Sequence, residues 1–280
     1  MKTSLFVVIL FFMSVALAET TPFHLPRFAC HAEAEEKVDT TPQSPPLVVD
    51  DPGTPGCNRW ELNFVFDVDY TVTDREYELP LFDFNYGVGD DIQIKYEVPY
   101  VAINSDGQNR SGISTSNLGL KVKFYEEESS ETQIAVYPQY LFLTPQAKGE
   151  ENGVAEKGMI LTLPILFTRK LGANSMGDIM MTANLGYNIS TKPDVTDYFS
   201  GAFGLGIAIF PKVALVGEIA GTKSLITSRF DTRDELYRAD LGVMMQLSKV
   251  VLLFGSVGES LYSWDHQDHT FALFGTRLNL

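Results

Sequence analysis

The sequence predicts an all-β protein, an antiparallel transmembrane β-barrel of about twelve strands, with ten or fourteen as the neighbouring counts. Three observations predict it. Apolar and polar residues alternate with period two over segments of about 11–14 residues, well beyond the ~5–6 usual in globular sheets. Hydrophobic residues make up 45% of the 280 positions, yet mean hydropathy is close to zero, so they are interleaved with polar ones. The face opposite the apolar one carries a dozen charges, which a dry core could hold only at severe desolvation cost.

The chain opens with Lys2, an apolar run from Leu5 to Val15 and Ala16-Leu17-Ala18. A positive start, a short apolar stretch and an A-x-A site predict a cleaved signal peptide over 1–18, with the mature chain starting near Glu19. No later apolar run approaches the ~18–20 residues of a membrane helix, which excludes a helical membrane protein. Residues 19–56 are rich in Pro, Glu, Asp and Thr, as in Thr40-Thr41-Pro42-Gln43-Ser44-Pro45-Pro46. Such a stretch buries too little apolar area to offset its ordering entropy and is expected to be a flexible periplasmic tail. The turn residues Asp50-Asp51-Pro52-Gly53-Thr54-Pro55-Gly56 mark its border with a barrel over 57–280. The two cysteines, Cys30 and Cys57, could pair in an oxidising periplasm or stay as free thiols. Cys30 lies too far past the apolar run to anchor a lipid.

From Trp60 the alternation is clear. Trp60, Leu62, Phe64, Phe66, Val68, Tyr70 and Val72 share one face, and Glu61, Asn63, Asp67, Asp69 and Thr71 the other, with Val65 the exception. Ile92, Ile94, Tyr96, Val98 and Tyr100 oppose Gln93, Lys95 and Glu97; Tyr237, Ala239, Leu241, Val243 and Met245 oppose Arg238, Asp240 and Gln246. Phe203, Leu205, Ile207 and Ile209 alternate with Gly204, Gly206 and Ala208. The same reading places strands at 59–73, 76–88, 91–103, 115–125, 131–144, 157–169, 177–190, 197–210, 212–225, 233–247, 250–262 and 269–280. Gly89-Asp90, Pro211-Lys212 and Ser248-Lys249 are tight turns after even strands. Asn104–Ser114, Pro145–Glu156 and Ser263–Asp268 are longer polar loops after odd ones, the pattern of a barrel with both termini in the periplasm. Thr73–Glu76 is short for an outer loop, and Arg169–Met176 long for a periplasmic turn.

A lipocalin-like barrel also alternates, with its apolar face inward. Strand length, aromatics near strand ends (Trp60, Tyr70, Tyr100, Tyr140, Phe142, Tyr187, Phe210 and Tyr237) and the charged alternate face favour lipid on the apolar side. The expected lumen lining is Glu61, Asp67, Asp69, Asp83, Lys95, Glu97, Lys121, Lys123, Glu218, Arg238, Asp240 and Arg277, with signs near enough to balance that many should form cross-strand ion pairs. The last strand ends in Leu280, where barrel-assembly signals usually have an aromatic residue. First and last strands must pair, because an open edge in lipid leaves backbone groups unsatisfied.

Residues 49–103 carry a resemblance. Asp50-Asp51-Pro52-Gly53-Thr54-Pro55-Gly56, Trp60-Glu61-Leu62-Asn63, Glu78-Leu79-Pro80, Asp83-Phe84-Asn85-Tyr86-Gly87-Val88-Gly89-Asp90 and Gln93-Ile94-Lys95-Tyr96-Glu97-Val98-Pro99-Tyr100 resemble a group of outer-membrane proteins similar to the MetA-pathway phenol-degradation barrel family. Beyond them only Pro138-Gln139 and Leu163-Pro164 echo it. The resemblance implies a barrel that passes small, hydrophobic or aromatic molecules, and it supplies no site residues.

Other chemistries find little support. A net charge of −15 without a basic cluster argues against nucleic acid. His266 and His269 form H-x-x-H beside Asp265 and Asp268 but lack a third ligand, and His24 and His31 lie in the tail, so no metal is expected. Glu126-Glu127-Glu128 and Glu150-Glu151 do not follow the calcium-loop pattern and read as solvated turns. Gly204 and Gly206 precede no helix, which removes a nucleotide cradle. A hydrolase would have to draw on His266 or His269 with Ser260, Ser263 and Glu259, whose spacing matches no motif. The leading reading is therefore a non-enzymatic channel without a cofactor. Its partners are outer-membrane lipid, the periplasmic chaperone and barrel-assembly machinery, and a small-molecule solute. A structural or interaction barrel with a closed lumen is the alternative.

Overall fold

In the computed structural model, the described residues are 23–28, 30, 48–105, 107–144, 147–155, 157–191, 196–224 and 235–280. The expected signal peptide over 1–18 lies outside them, as does the tail stretch 31–47. Fourteen strands follow in order: β1 Trp60–Tyr70, β2 Asp74–Gly87, β3 Ile92–Ser105, β4 Gln108–Ile113, β5 Thr115–Glu127, β6 Thr132–Val136, β7 Gln139–Leu143, β8 Ile160–Asn174, β9 Gly177–Ser190, β10 Tyr198–Phe210, β11 Val213–Ser224, β12 Leu236–Gln246, β13 Val251–Ser263 and β14 Thr270–Asn279.

These fourteen segments make twelve strands around the wall. β4 and β5 are in line, both pairing with β3 (Ser105↔Gln108, Ile92↔Val122), with a one-residue slip at Ser114. β6 and β7 are in line between β5 and β8, interrupted at Tyr137-Pro138 because Pro138 has no N–H to give to the ladder. Neighbouring strands pair antiparallel throughout, and β1 pairs with β14 from Glu61↔Asn279 to Tyr70↔Thr270, which closes the barrel. Trp60 and Leu280 exchange both backbone hydrogen bonds at the seam, so Leu280 completes the ladder without an aromatic terminus.

Two connections differ from expectation. β8 runs on to Asn174, so the turn before β9 is Ser175-Met176 alone, and the excess length expected at Arg169–Met176 is strand. The loop expected at 104–114 is likewise mostly strand, because β3 and β4 extend the wall as a hairpin at one end. With these changes every connection at the end that bears the termini is short.

The outer surface is apolar. Leu185, Leu241, Val257 and Leu261 are more than 60% exposed, and their strand neighbours Met180, Asp240, Ser256 and Phe254 are buried. The interior is not uniformly polar. Val65, the residue that broke the alternation, faces inward at a β1–β2 register shift and joins Val216, Met244, Leu252, Phe254 and Leu273 in a buried apolar cluster. That cluster fills the side of the barrel built by β1 and β11 to β14.

Candidate functional site: a chambered lumen and its plug

Between β12 and β4 around the barrel, the inner wall is set by short and polar side chains. On β10 the inward positions are Ser200, Ala202, Gly204, Gly206 and Ala208, with Phe203, Leu205 and Ile207 turned outward. Small residues leave space, and the N-terminal segment occupies it. Residues 48–56, expected to belong to a free tail, instead run inside the barrel from mid-height to the end that bears the termini.

The wall holds this segment chiefly by its backbone. Glu218 on β11 accepts the Val48 N–H at 3.0 Å. Asn184 on β9 accepts the Asp50 N–H at 2.8 Å and donates to the Asp50 carbonyl at 2.6 Å. Lys121 on β5 donates to the carbonyls of Asp51 at 2.7 Å and Gly53 at 3.1 Å. Thr54 Oγ1 donates to the Asp90 carbonyl at 2.8 Å. Val49 is 1% exposed, and a Cβ at Gly204 would touch its Cγ2 at 3.5 Å. The segment leaves the lumen past Gly87, whose missing side chain clears the Gly56 carbonyl.

A second piece of the N-terminus crosses the same end. Arg27 donates to Asp91 through Nε (2.7 Å), Nη2 (2.8 Å) and its backbone N–H (2.9 Å), and through Nη2 to Glu126 at 3.0 Å. Lys123 adds contacts to Glu126 at 3.0 Å and Asp91 at 3.5 Å. Burial alone would raise the Asp91 carboxyl, but the Arg27 hydrogen bonds and the Lys123 charge outweigh it and hold it below its ordinary value. Gly89, at φ +144°, lets the Arg27 carbonyl pass where a side chain would block it. Phe23 packs edge-on to Tyr125 with ring centroids 4.8 Å apart. Cys30 and Cys57 form a disulfide, so of the two alternatives left by the sequence the structure has the paired one, and both ends of segment 30–57 are fixed at this rim.

Above the plug opens a chamber of about 830 Å³. Its wall includes the amides of Asn117, Gln139, Asn184 and Asn188, the hydroxyls of Thr162 and Ser200, and apolar stretches from Leu141, Ile160, Leu166, Tyr198 and Trp264. A smaller cavity of about 220 Å³ lies beside Val49, between Val65, Leu81 and Leu273 on one side and Asp83, Lys95 and Glu97 on the other.

The twelve charged residues singled out in the sequence divide into groups. Glu61 pairs with Arg277 across the seam at 3.3 Å, and Arg277 also donates to Asn63. Lys95 pairs with Glu97 at 2.6 Å and Arg238 with Asp240 at 2.5 Å, each along its own strand rather than across strands. Asp83 accepts from Asn63 and Asn85, and Asn85 accepts from Gln93, a relay that ends at the buried Tyr137 hydroxyl. Lys123 belongs to the rim clasp, while Lys121 and Glu218 hold the plug. Asp67 and Asp69 stand opposite Glu78 and Glu76, so two rungs of the β1–β2 ladder are like-charged, the Asp69–Glu76 rung on the chamber wall. Sequence reasoning missed the plug. Its one signal was the run of small inward residues on β10, which leaves room that no wall side chain fills.

Among the described histidines, His269 meets an acid and a serine but is not placed to activate the serine. His269 Nδ1 lies 2.9 Å from Asp69, and its Nε2 lies 3.3 Å from Ser263 Oγ. The Ser263 hydroxyl, however, donates to Asp265 at 2.5 Å, so its proton is directed away from the imidazole that would have to accept it. Ser260 Oγ is engaged by the His269 N–H at 2.9 Å. His24, Asp91 and Glu126 bring three ligand-type atoms within 4.8 Å of one another, but Arg27 and Lys123 already supply the positive charge there, and the set does not suit a metal.

No protein-family model matches the chain, and no curated protein does. Solved structures do. A COG4313 outer membrane channel from Pseudomonas putida F1 aligns with TM-score 0.66 at 9% identity, over 84% of this chain and all of that one. The NanC porin aligns with TM-score 0.54 at 6% identity, over 78% of this chain and all of that one. At such identities the likeness is one of fold, and the fold is that of outer-membrane β-barrel channels.

Proposed function

We propose that the protein is an outer-membrane channel for small molecules, with its termini in the periplasm and its resting lumen closed by residues 48–56. It would be exported by the 1–18 signal and inserted by the chaperone and barrel-assembly machinery. The observation that carries this reading is the chamber of about 830 Å³ that ends on a segment belonging to no strand and held by reversible hydrogen bonds. A barrel that served only as a scaffold could fill the same space with wall side chains. The hydrophobic or aromatic solutes implied by the family resemblance would find Leu141, Ile160, Leu166, Tyr198 and Trp264 along the chamber wall. Asp69 and Glu76 on that wall favour cations over anions.

The test is conductance of the purified full-length chain in planar bilayers, with a salt gradient to read selectivity. Gated openings with a reversal potential shifted toward the cation are expected. A heat-modifiable, folded barrel that shows neither current nor solute uptake in liposomes would overturn the channel reading. That outcome would favour an interaction barrel with a permanently closed lumen, the reading to which the buried cluster around Phe254 lends weight.

A further inference from the structure

We propose that the groove filled by residues 48–51 is a binding site for the backbone of an extended peptide, and that the solutes of this channel include short peptides with an apolar side chain. The inference rests on the channel reading and names its solute class.

The argument starts from what the wall recognises. Glu218 takes an N–H, Lys121 takes two carbonyls, and Asn184 takes the N–H and the carbonyl of one residue. These are main-chain groups, and over Val48–Asp51, before the bend at Pro52, an extended peptide would present them with the same spacing. Of the plug's acidic side chains, Asp51 Oδ1 turns back to accept its own Gly53 N–H at 2.6 Å. With the plug seated, Lys121 is 4% exposed and Glu218 3%.

One side chain is read as well. Val49 points into the wall beside Gly204, and the cavity of about 220 Å³ next to it is apolar on the Val65, Leu81 and Leu273 side. The plug thus sits in the groove as an intramolecular occupant, favoured over any soluble peptide by the high effective concentration of a tethered segment. A permeating peptide would replace it group for group.

The experiment compares the full-length protein with two full-length variants, Val49→Ser and Lys121→Met, in planar bilayers and in liposome swelling. The probe is the blocked, uncharged tetrapeptide acetyl-Val-Val-Asn-Asn-amide, and a trisaccharide of similar mass is the control. In Val49→Ser, which loosens the plug, the peptide is expected to block ion current saturably and to enter liposomes several-fold faster than the sugar. In Lys121→Met the channel should open more often, yet saturable block should weaken by at least tenfold, opposite changes that a merely damaged barrel would not give. Equal rates for peptide and sugar, or no saturable block in Val49→Ser while ion current is normal, would overturn the peptide inference and leave the channel intact. No ion current in any of the three proteins would instead overturn the channel reading, and this inference with it.

Discussion

Replacing Lys121 by methionine should shift the lumen from plugged to open. Methionine keeps most of the stem length but loses the ammonium that binds the Asp51 and Gly53 carbonyls at 2.7 and 3.1 Å. Hydrogen bonds to a charged group contribute roughly 1.5–3 kcal/mol each, net of hydration. The low end applies here, because an unplugged lumen would admit water to Lys121, so the pair is worth about 3 kcal/mol. That is roughly a 150-fold change in the ratio of plugged to open states. The contact of Lys121 with the Tyr137 ring, 4.8 Å from Nζ to centroid, lies within the wall and adds no direct bond to the plug. Single-channel recording of open probability measures the effect directly, and Lys121→Arg, which retains donors, should fall between the two. An open probability within threefold of the wild type, for a Lys121→Met barrel of normal heat-modifiability, would refute the plug energetics.

Two further outcomes follow from the same structure. Leu241 is 62% exposed at the middle of β12, and Leu241→Arg should cost ~2–4 kcal/mol of folding stability in bilayers, against almost nothing for Leu241→Met. Equal denaturant midpoints for the two would mean that this face does not meet lipid. The rim clasp should be lost only in acid. Asp91 is held below its ordinary value of 3.8, so its stabilising contribution is complete above that pH and disappears as pH falls through the lowered value. Open probability should be flat from about pH 8 to 5 as far as Asp91 is concerned and rise below about pH 4, and Asp91→Asn should raise it at neutral pH and remove the acid step. A step near neutral pH that survives in Asp91→Asn would assign control to another group.

How far the sequence disclosed this arrangement depends on which periodicity carried the information. Strands written in period two were legible because one face meets hydrocarbon, and a slip of one residue would bury every charge in it. The twelve-strand wall follows from that constraint alone. The break at Pro138 and the slip at Ser114 split two strands without changing the count. Val65 looked like noise in the pattern, and only the register shift beside it shows that it faces an inner apolar cluster. The plug was not legible for a different reason. Residues 48–56 are held by backbone groups, which every sequence has, so their side chains record almost nothing of the contact. Asp50-Asp51-Pro52-Gly53 reads as a turn-rich border from sequence; it does turn, at Pro52 with Asp51 Oδ1 on the Gly53 N–H, but inside the barrel, where Asn184 and Lys121 bind its remaining backbone groups. Gln246 was misleading in the same way. It alternates as a lumen-facing residue and ends β12 pointing inward, but it is 8% exposed and donates to the Ser248 carbonyl at 2.5 Å rather than facing a wet wall.

The kind of contact that hides the plug from sequence reading also makes it suitable as a gate. In a wet lumen Glu218, Asn184 and Lys121 would be hydrated as readily as they are bonded to peptide, so each exchange of water for backbone gains only about 1–2 kcal/mol. Ordering the segment costs about 1–2 kcal/mol of backbone entropy per residue in return. The two sums nearly cancel, and the balance falls to the few groups that gain clearly from insertion. Val49 leaves water for the space beside Gly204, and Cys30–Cys57 limits the freedom that an ejected loop could recover. A plug built from buried ion pairs or a large apolar plug face would be too strongly held to leave on the time of a permeation event. One held by backbone, two small apolar side chains and a tether can leave and return.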